Sequence, residues 1–258
     1  MAEEIVRFHN HPQEEALATF LPLLTAYLPS SNNLYNRMRA PHNVPDRHCL
    51  FAATFPPSSS QGARSAAPGT YTILFADRSR HSESQIWIFN PIIAEAAVLS
   101  SAQQALLTAH VTAAIHFLKD VQIPEAPGWP FSPVLRFACL HEHFSATLKS
   151  VAEPKDAFAR ATYWNLWNIS TADIISSTRQ RRPLPEGFTV GRVPKEQLDI
   201  VLSTSAIVRQ PSTMLMLPSV GILNEEGKLI AWGYIGIDGS FATLKLWQGR
   251  FCGFGVRW

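Results

Sequence analysis

The chain has little cysteine. Its three, Cys49, Cys139 and Cys252, are odd in number and far apart, so neither a disulfide framework nor a Cys-x-x-Cys metal centre organises it. It also lacks any run of the roughly 18 uncharged apolar residues that a membrane span requires. The N-terminus, Met-Ala-Glu-Glu-Ile-Val-Arg, is acidic where a targeting segment would be basic. These absences read as a soluble, cytoplasmic protein with no membrane role. A net charge of +2 is too small for a polyanion-binding surface, which argues against nucleic acid as a partner. Catalytic signatures are missing too: there is no Gly-x-Ser-x-Gly elbow, no Gly-x-x-x-x-Gly-Lys-Ser/Thr loop and no His-Glu-x-x-His. Hydrolase and nucleoside-triphosphatase readings lose their usual supports. In the cluster Cys139, His141, Glu142, His143, a strand would put Cys139, His141 and His143 on one face, but no fourth ligand is close in sequence, so no metal is assigned.

What is present is an ample supply of apolar residues, 46% of the chain, enough for one large core or two small ones. Apolar spacing predicts a helix over 12–28, bounded by Pro29, and a short one over 32–38. Residues 48–55 read as a strand, 56–69 as a Pro/Ser/Gly connector, and 70–76 with 85–90 as a hairpin with a long loop. Ser100 reads as the N-cap of a helix to about Lys119, with Ala105, Leu106, Ala109, Ala113, His116 and Phe117 on its apolar side. A strand is expected over 134–140, and helices over 144–151 and 157–167. The last carries Phe158, Tyr163, Trp164 and Trp167, and with Trp232 and Trp247 these tryptophans are expected in the core. The basic, proline-broken stretch 176–187 reads as a linker between an N-terminal α/β domain (1–175) and a second domain (188–258).

The second domain has the clearest pattern. A short strand over 188–192 is followed by a helix opened by Pro194 and another over 211–217. Three β-rich runs come next, separated by Asn224-Glu-Glu-Gly227 and Asp238-Gly239, which are turn signals of a three-strand antiparallel meander. The chain ends in the glycine-rich Arg250-Phe-Cys-Gly253-Phe-Gly255, which could present backbone N–H groups to a phosphate.

The order strand, helix, short helix, meander over 187–246, and in particular the hairpin around Ala231-Trp232, resembles the first half of a GNAT acyltransferase domain of the glycine N-acyltransferase-like branch. The fold class expected is α/β (α+β): a GNAT-like mixed sheet with an antiparallel meander flanked by helices, preceded by a second α/β domain. The resemblance implies acyl transfer from acetyl-CoA or another acyl-CoA, as co-substrate and without a metal, to the amine of a small molecule. It implies that the pantetheine pairs with the last meander strand, here Ala242, Thr243, Leu244, Lys245 and Leu246. It implies that the pyrophosphate lies on a loop matched by Arg250, Gly253 and Gly255. Ser240 stands where glycine-conjugating relatives carry a glutamate base, and Arg209, Trp232 and Tyr234 are assigned to the acceptor side. The sequence stops three residues after Gly255, where such domains continue with a helix and a parallel strand. An incomplete domain with an exposed sheet edge, open to self-association, is therefore expected. A non-catalytic interaction module built on that edge is the alternative reading.

Overall fold

The computed structural model describes residues 5–58, 69–78, 83–95, 97–121, 135–163, 165–176, 183–205 and 208–246. The chain divides into two compact units, Met1–Asn168 and Ile169–Trp258.

The first unit comprises β1 (His9–Asn10), α1 (Gln13–Thr25), α2 (Asn32–Arg39), β2 (Leu50–Ala53), β3 (Ile73–Ala76), β4 (Ile86–Phe89), α3 (Ile92–Glu95), α4 (Ser101–Asp120) and α5 (Glu142–Ala152). Its four strands pair antiparallel in chain order, with Phe51 opposite Phe75 and Phe75 opposite Trp87. Every residue of β2, β3 and β4 is buried, because helices cover both faces. α2 packs on the Trp87 side, while Ile88 meets Val111 of α4 and Phe144 of α5 on the other. That two-sided burial explains strands that read as continuous apolar runs rather than alternations.

The polar interior of this unit is organised by Arg37, which is fully buried. One of its guanidinium nitrogens lies 2.7 Å from Asp77 Oδ2, the other donates to Asn43 Oδ1, and the group sits 4.4 Å from the Phe75 ring centroid and 5.0 Å from that of Trp87. Asn43 in turn donates to the carbonyls of Arg37 and Met38, satisfying the C-terminal turn of α2. The Cys49 thiol at the edge of this cluster is pushed up to about 12 by burial, so it is not a nucleophile at neutral pH.

On the opposite face, Asn90 donates to Thr72 Oγ1 at 2.9 Å, and Thr72 Oγ1 lies 2.7 Å from His110 Nδ1. The Thr72 hydroxyl thus joins the Asn90 carboxamide to the His110 imidazole in one buried chain of hydrogen bonds. Burial lowers the His110 pKa to about 4. The unfolded chain binds this proton near 6.5 while the native protein refuses it until about 4, so the stability is fully present above 6.5 and is lost as pH falls toward 4. The expected loss is roughly 3 kcal/mol. Urea unfolding at pH 7, 5.5 and 4.5 should show it, and His110→Gln should flatten the slope; an unchanged slope in the variant would assign the effect elsewhere.

Four expectations in this unit are corrected. The helix at 101–120 is present, with a Ser100–Gln103 capping box, but the buried side is Leu107, His110, Val111, Ala114 and Leu118, whereas Leu106 is 36% exposed. Many small apolar alanines made the two faces nearly equal in hydropathy, and only the sheet and α5 selected one. Of the strand expected over 134–140, the described residues 135–140 form one parallel bridge, Ile86 to Phe137, and the backbone turns at Cys139, where φ is 52°. The described residues of 157–167 form no helix and are mostly exposed, Trp167 by 82%. Eleven residues with costly aromatic positions cannot hold a helix without a surface to pack on. Trp167 is therefore outside the core, and Trp164 and Trp247 lie outside the described residues.

The second unit contains α6 (Thr171–Ser176), β5 (Thr189–Gly191), α7 (Leu198–Thr204), α8 (Pro211–Met216), β6 (Ser219–Leu223), β7 (Leu229–Ile235) and β8 (Phe241–Leu246). Its sheet runs β5-β6-β7-β8, antiparallel throughout. Leu198, Val201, Met214, Leu217, Leu229, Trp232 and Tyr234 form its core. Gln197 links the start of α7 to the β6–β7 turn, donating to Gly227 O and accepting from Leu229 N. From β5 onward this unit repeats the element order of the first from β1: one strand, two helices, then three antiparallel strands in chain order. Of the linker expected at 176–187, residues 177–182 lie outside the described residues. Among the described residues, no helix is long and apolar enough to cross a membrane.

Candidate functional site

β7 and β8 position the residues singled out for acyl-CoA. They are joined by a tight turn in which Gly236 N donates to Ser240 O at 2.7 Å and Gly239 N to Gly236 O at 3.0 Å, with Gly239 at φ 78°. The turn is closed by Asp238, whose Oδ1 accepts from Ser240 N at 3.2 Å and from Ser240 Oγ at 2.6 Å. The Ser240 hydroxyl proton is thus committed to a carboxylate that is only 8% exposed, and its lone pairs remain available to accept.

Beyond the turn the ladder is irregular. Tyr234 faces Ala242 and Trp232 faces Lys245, so Gly233 alone stands opposite Thr243 and Leu244. This is a β-bulge, and its first residue, Thr243, takes φ 55°. A β-branched residue in the left-handed region is costly, by about 1–3 kcal/mol, and such strain concentrates at functional sites. Gly233 fits because a Cβ there would sit 3.2 Å from Leu244 Cδ1 and 3.8 Å from Val220 Cγ1. A glycine alone inside the β-run Ala-Trp-Gly-Tyr was the sequence signal for this bulge, and it went unread.

β8 is the last strand of the described sheet, so one side of its backbone pairs with β7 and the other has no neighbouring strand among the described residues. Phe241 is 71% and Leu244 63% exposed, Lys245 is exposed, and Ala242 is buried. Leu246 continues the ladder opposite Ala231. The structure therefore brings Ser240, Ala242, Thr243, Leu244, Lys245 and Leu246 together along one edge. Trp232 and Tyr234 support that edge from within the core, at 2% and 3% exposure. Burial raises the Tyr234 phenol pKa against the opposing effects of Arg192 and Ser219, which keeps it neutral. Arg209 is half-buried in the segment before α8, and Arg250, Gly253 and Gly255 lie outside the described residues. Asp238, legible in the sequence only as a turn former, also holds the Ser240 hydroxyl.

In the first unit, the cluster expected on a strand is arranged otherwise: His141 is the N-cap of α5, its Nδ1 accepting from His143 N at 3.3 Å, and the two imidazoles lie 4.9 Å apart. Among the described residues, no group of three or more His, Cys, Asp or Glu side chains is placed to hold a metal ion.

No curated protein matches the chain. Among solved structures, the X-ray structure of a Drosophila protein has a TM-score of 0.56 and 14% identity, covering 93% of this chain and 78% of that one, a likeness of fold. The family of the acyl-CoA N-acyltransferase verG N-terminal domain matches residues 3–181. A match over more than half of the sequence, on a mixed α/β architecture with antiparallel sheets, shows that the chain belongs to this acyl-CoA N-acyltransferase family.

Proposed function

We propose that the protein transfers an acyl group from acyl-CoA to the amine of a small molecule at the bulged edge of β8, as in the glycine N-acyltransferase-like branch it resembles. The observation that carries this reading is the bulge of Thr243 and Leu244 against Gly233, in the strand where the resemblance lays the thioester. A bulge withdraws backbone groups from the ladder. An N–H so released is a fixed donor for the thioester oxygen as negative charge develops there. The open side of β8 offers the remaining N–H and C=O groups to the pantetheine amides, in the manner of an added strand. Lys245, and the Arg250, Gly253 and Gly255 loop, are assigned to the CoA phosphates, and Arg209, Trp232 and Tyr234 to the acceptor.

In the reaction, the amine nitrogen bonds to the thioester carbonyl carbon and the C–S bond breaks. The amine proton passes to Ser240 while Ser240 gives its own to Asp238, and the CoA thiolate is finally protonated from that pair. A serine is a poor base alone, but the 2.6 Å bond to Asp238 makes it a relay. Ser240→Ala and Asp238→Asn should each lower kcat by about 100-fold with KM within about threefold, a loss typical of a proton-transfer group. A change in KM alone would remove the relay.

Isothermal titration with acetyl-CoA and longer acyl-CoAs tests the reading as a whole; absence of binding at millimolar concentration ends it. The second reading, a non-catalytic module that associates through the β8 edge, is favoured by the exposure of Phe241 and Leu244. CoA-silent oligomers in light scattering would select it. The domain boundaries at 1–175 and 188–258, and cytoplasmic placement, belong to the same proposal.

A further inference from the structure

The two sheets differ in how they are covered. In the first unit, helices close both faces of β2, β3 and β4; in the second, the buried side chains of α7 and α8, Leu198, Val201 and Met214, share one face with Leu229, Trp232 and Tyr234. Antiparallel partners lie on the same face, so the register defines the other: Val190 with Ile222, Val220 with Gly233, and Ile235 with Phe241. Leu244 joins them, because a Cβ on Gly233 would meet Leu244 Cδ1 at 3.2 Å and Val220 Cγ1 at 3.8 Å. These side chains are all apolar. Val190 is 61% and Val220 51% exposed, as are Phe241 and Leu244 to a larger extent, so among the described residues no helix closes this face as α4 and α5 close that of the first sheet.

A contiguous apolar face left open to water marks a binding surface, and its position identifies the occupant. Leu244 belongs both to this face and to the bulge at which the acyl-transfer reading lays the thioester. On the other side of that bulge the space is filled, because Ala242, Trp232 and Tyr234 are buried. An acyl group held at the bulge therefore leaves across the open face, from Leu244 on β8, over Gly233, to Val220 on β6. Gly233 has no side chain to stand in its path. Neighbouring strands are about 4.8 Å apart, so β6 lies about 10 Å from β8 and β5 about 14 Å. An acetyl group leaves that strip bare, whereas an extended decanoyl chain covers it as far as Val220.

We propose that the acyl donor is a medium-chain acyl-CoA, its chain lying across the sheet on Leu244, Gly233, Val220 and Ile222. The proposal rests on the acyl-transfer reading and adds to it the acyl class and the side chains that select it. A methylene laid on one apolar wall gains about half of the full-burial effect, a factor of about two in affinity.

Isothermal titration of the full chain with acetyl-, hexanoyl- and decanoyl-CoA tests it. Affinity should rise at each step, and decanoyl-CoA should bind at least about 50-fold more tightly than acetyl-CoA. Val220→Glu puts a carboxylate on the strip at a half-exposed position outside the transfer edge. It should lower the decanoyl-to-acetyl affinity ratio about tenfold or more, and the ratio cancels any repulsion of the CoA phosphates, which both ligands share. Val220→Thr keeps the side-chain shape and should lower the ratio about threefold, which covers the case of a glutamate variant that does not fold. Val190→Glu is the control on the same face: β5 lies beyond the end of a decanoyl chain, so the ratio should stay as in the wild type. Equal affinity for acetyl- and decanoyl-CoA overturns the proposal and leaves acyl transfer standing; no binding of any acyl-CoA ends both. A ratio unchanged in the folded Val220 variants puts the chain elsewhere and overturns the assigned face. A wild-type dimer in light scattering that Val220→Glu dissociates gives the face to a second copy, and overturns it as well.

Discussion

Asp77→Ala should lower the unfolding free energy by about 3–5 kcal/mol, because it leaves the Arg37 guanidinium buried and without its carboxylate. The environment gives the charge little relief. Arg37 has no exposure, its flanks are the rings of Phe75 and Trp87, and Asn43 offers it a neutral amide oxygen. Water cannot replace Asp77 without entering between β3 and α2. The cost is a penalty for breaking the pair, not the worth of having it. Arg37→Met combined with Asp77→Leu should therefore recover most of the loss, since an apolar pair of similar volume removes both desolvation costs. Chemical denaturation of the two single variants and the double gives the coupling directly. A cost below about 1 kcal/mol in Asp77→Ala would mean that the guanidinium reaches water, contrary to the burial described.

Deleting Thr243 should lower kcat by about 10²–10³-fold while leaving the second unit folded. The deletion places one residue of β8 opposite Gly233, returns the ladder to regular pairing and removes the left-handed φ of 55°. Relief of that strain favours the fold. The N–H released by the bulge is then drawn back into the sheet and can no longer meet a thioester oxygen. Loss of one such donor costs about 10²–10³ in kcat, corresponding to about 2.7–4 kcal/mol of transition-state stabilisation. Thr243→Gly is the matched control: it keeps the bulge, accepts the positive φ at no steric cost and should retain activity with slightly higher stability. If the deletion and the glycine variant turn over equally, the bulge is architectural and the proposed catalytic edge fails. Because the deletion shifts later residues by one position, acyl-CoA affinity must be measured alongside kcat. Unchanged affinity with lost kcat isolates the donor from the binding edge.

Elements with local causes were legible in the sequence. The helices at Gln13–Thr25, Asn32–Arg39 and Ser101–Asp120 carry apolar spacing and terminal signals, and the meander Ser219–Leu246 is punctuated by Asn224-Glu-Glu-Gly227 and Asp238-Gly239. In the first turn Asn224 Oδ1 accepts from Glu226 N and Lys228 N, and Gly227 takes φ 71°, as such a sequence requires. The same local reading failed where two conformations are nearly equal in local energy. The aromatic stretch 157–167 has helical spacing but found no surface to cover, and 134–140 has strand composition but turns at Cys139. The face of α4 was misread for the same reason. An alanine-rich helix does not choose its own buried side; β4 and α5 chose it.

By itself, the sequence determined the α/β class, most element positions, the two turns of the meander and the absence of the common nucleophile and phosphate motifs. These follow from periodicity, caps and turn residues that act within a few positions of one another. The tertiary structure alone decided three things: that both units share one element order, that Gly233 faces two residues of β8, and that Asp238 holds the proton of Ser240. It also decided the gathering of Arg37, Asn43 and Asp77 from segments far apart in the chain. Register and long-range pairing are set by which side chains can be buried together. That free energy is a property of the assembled core and has no counterpart in any single stretch of sequence.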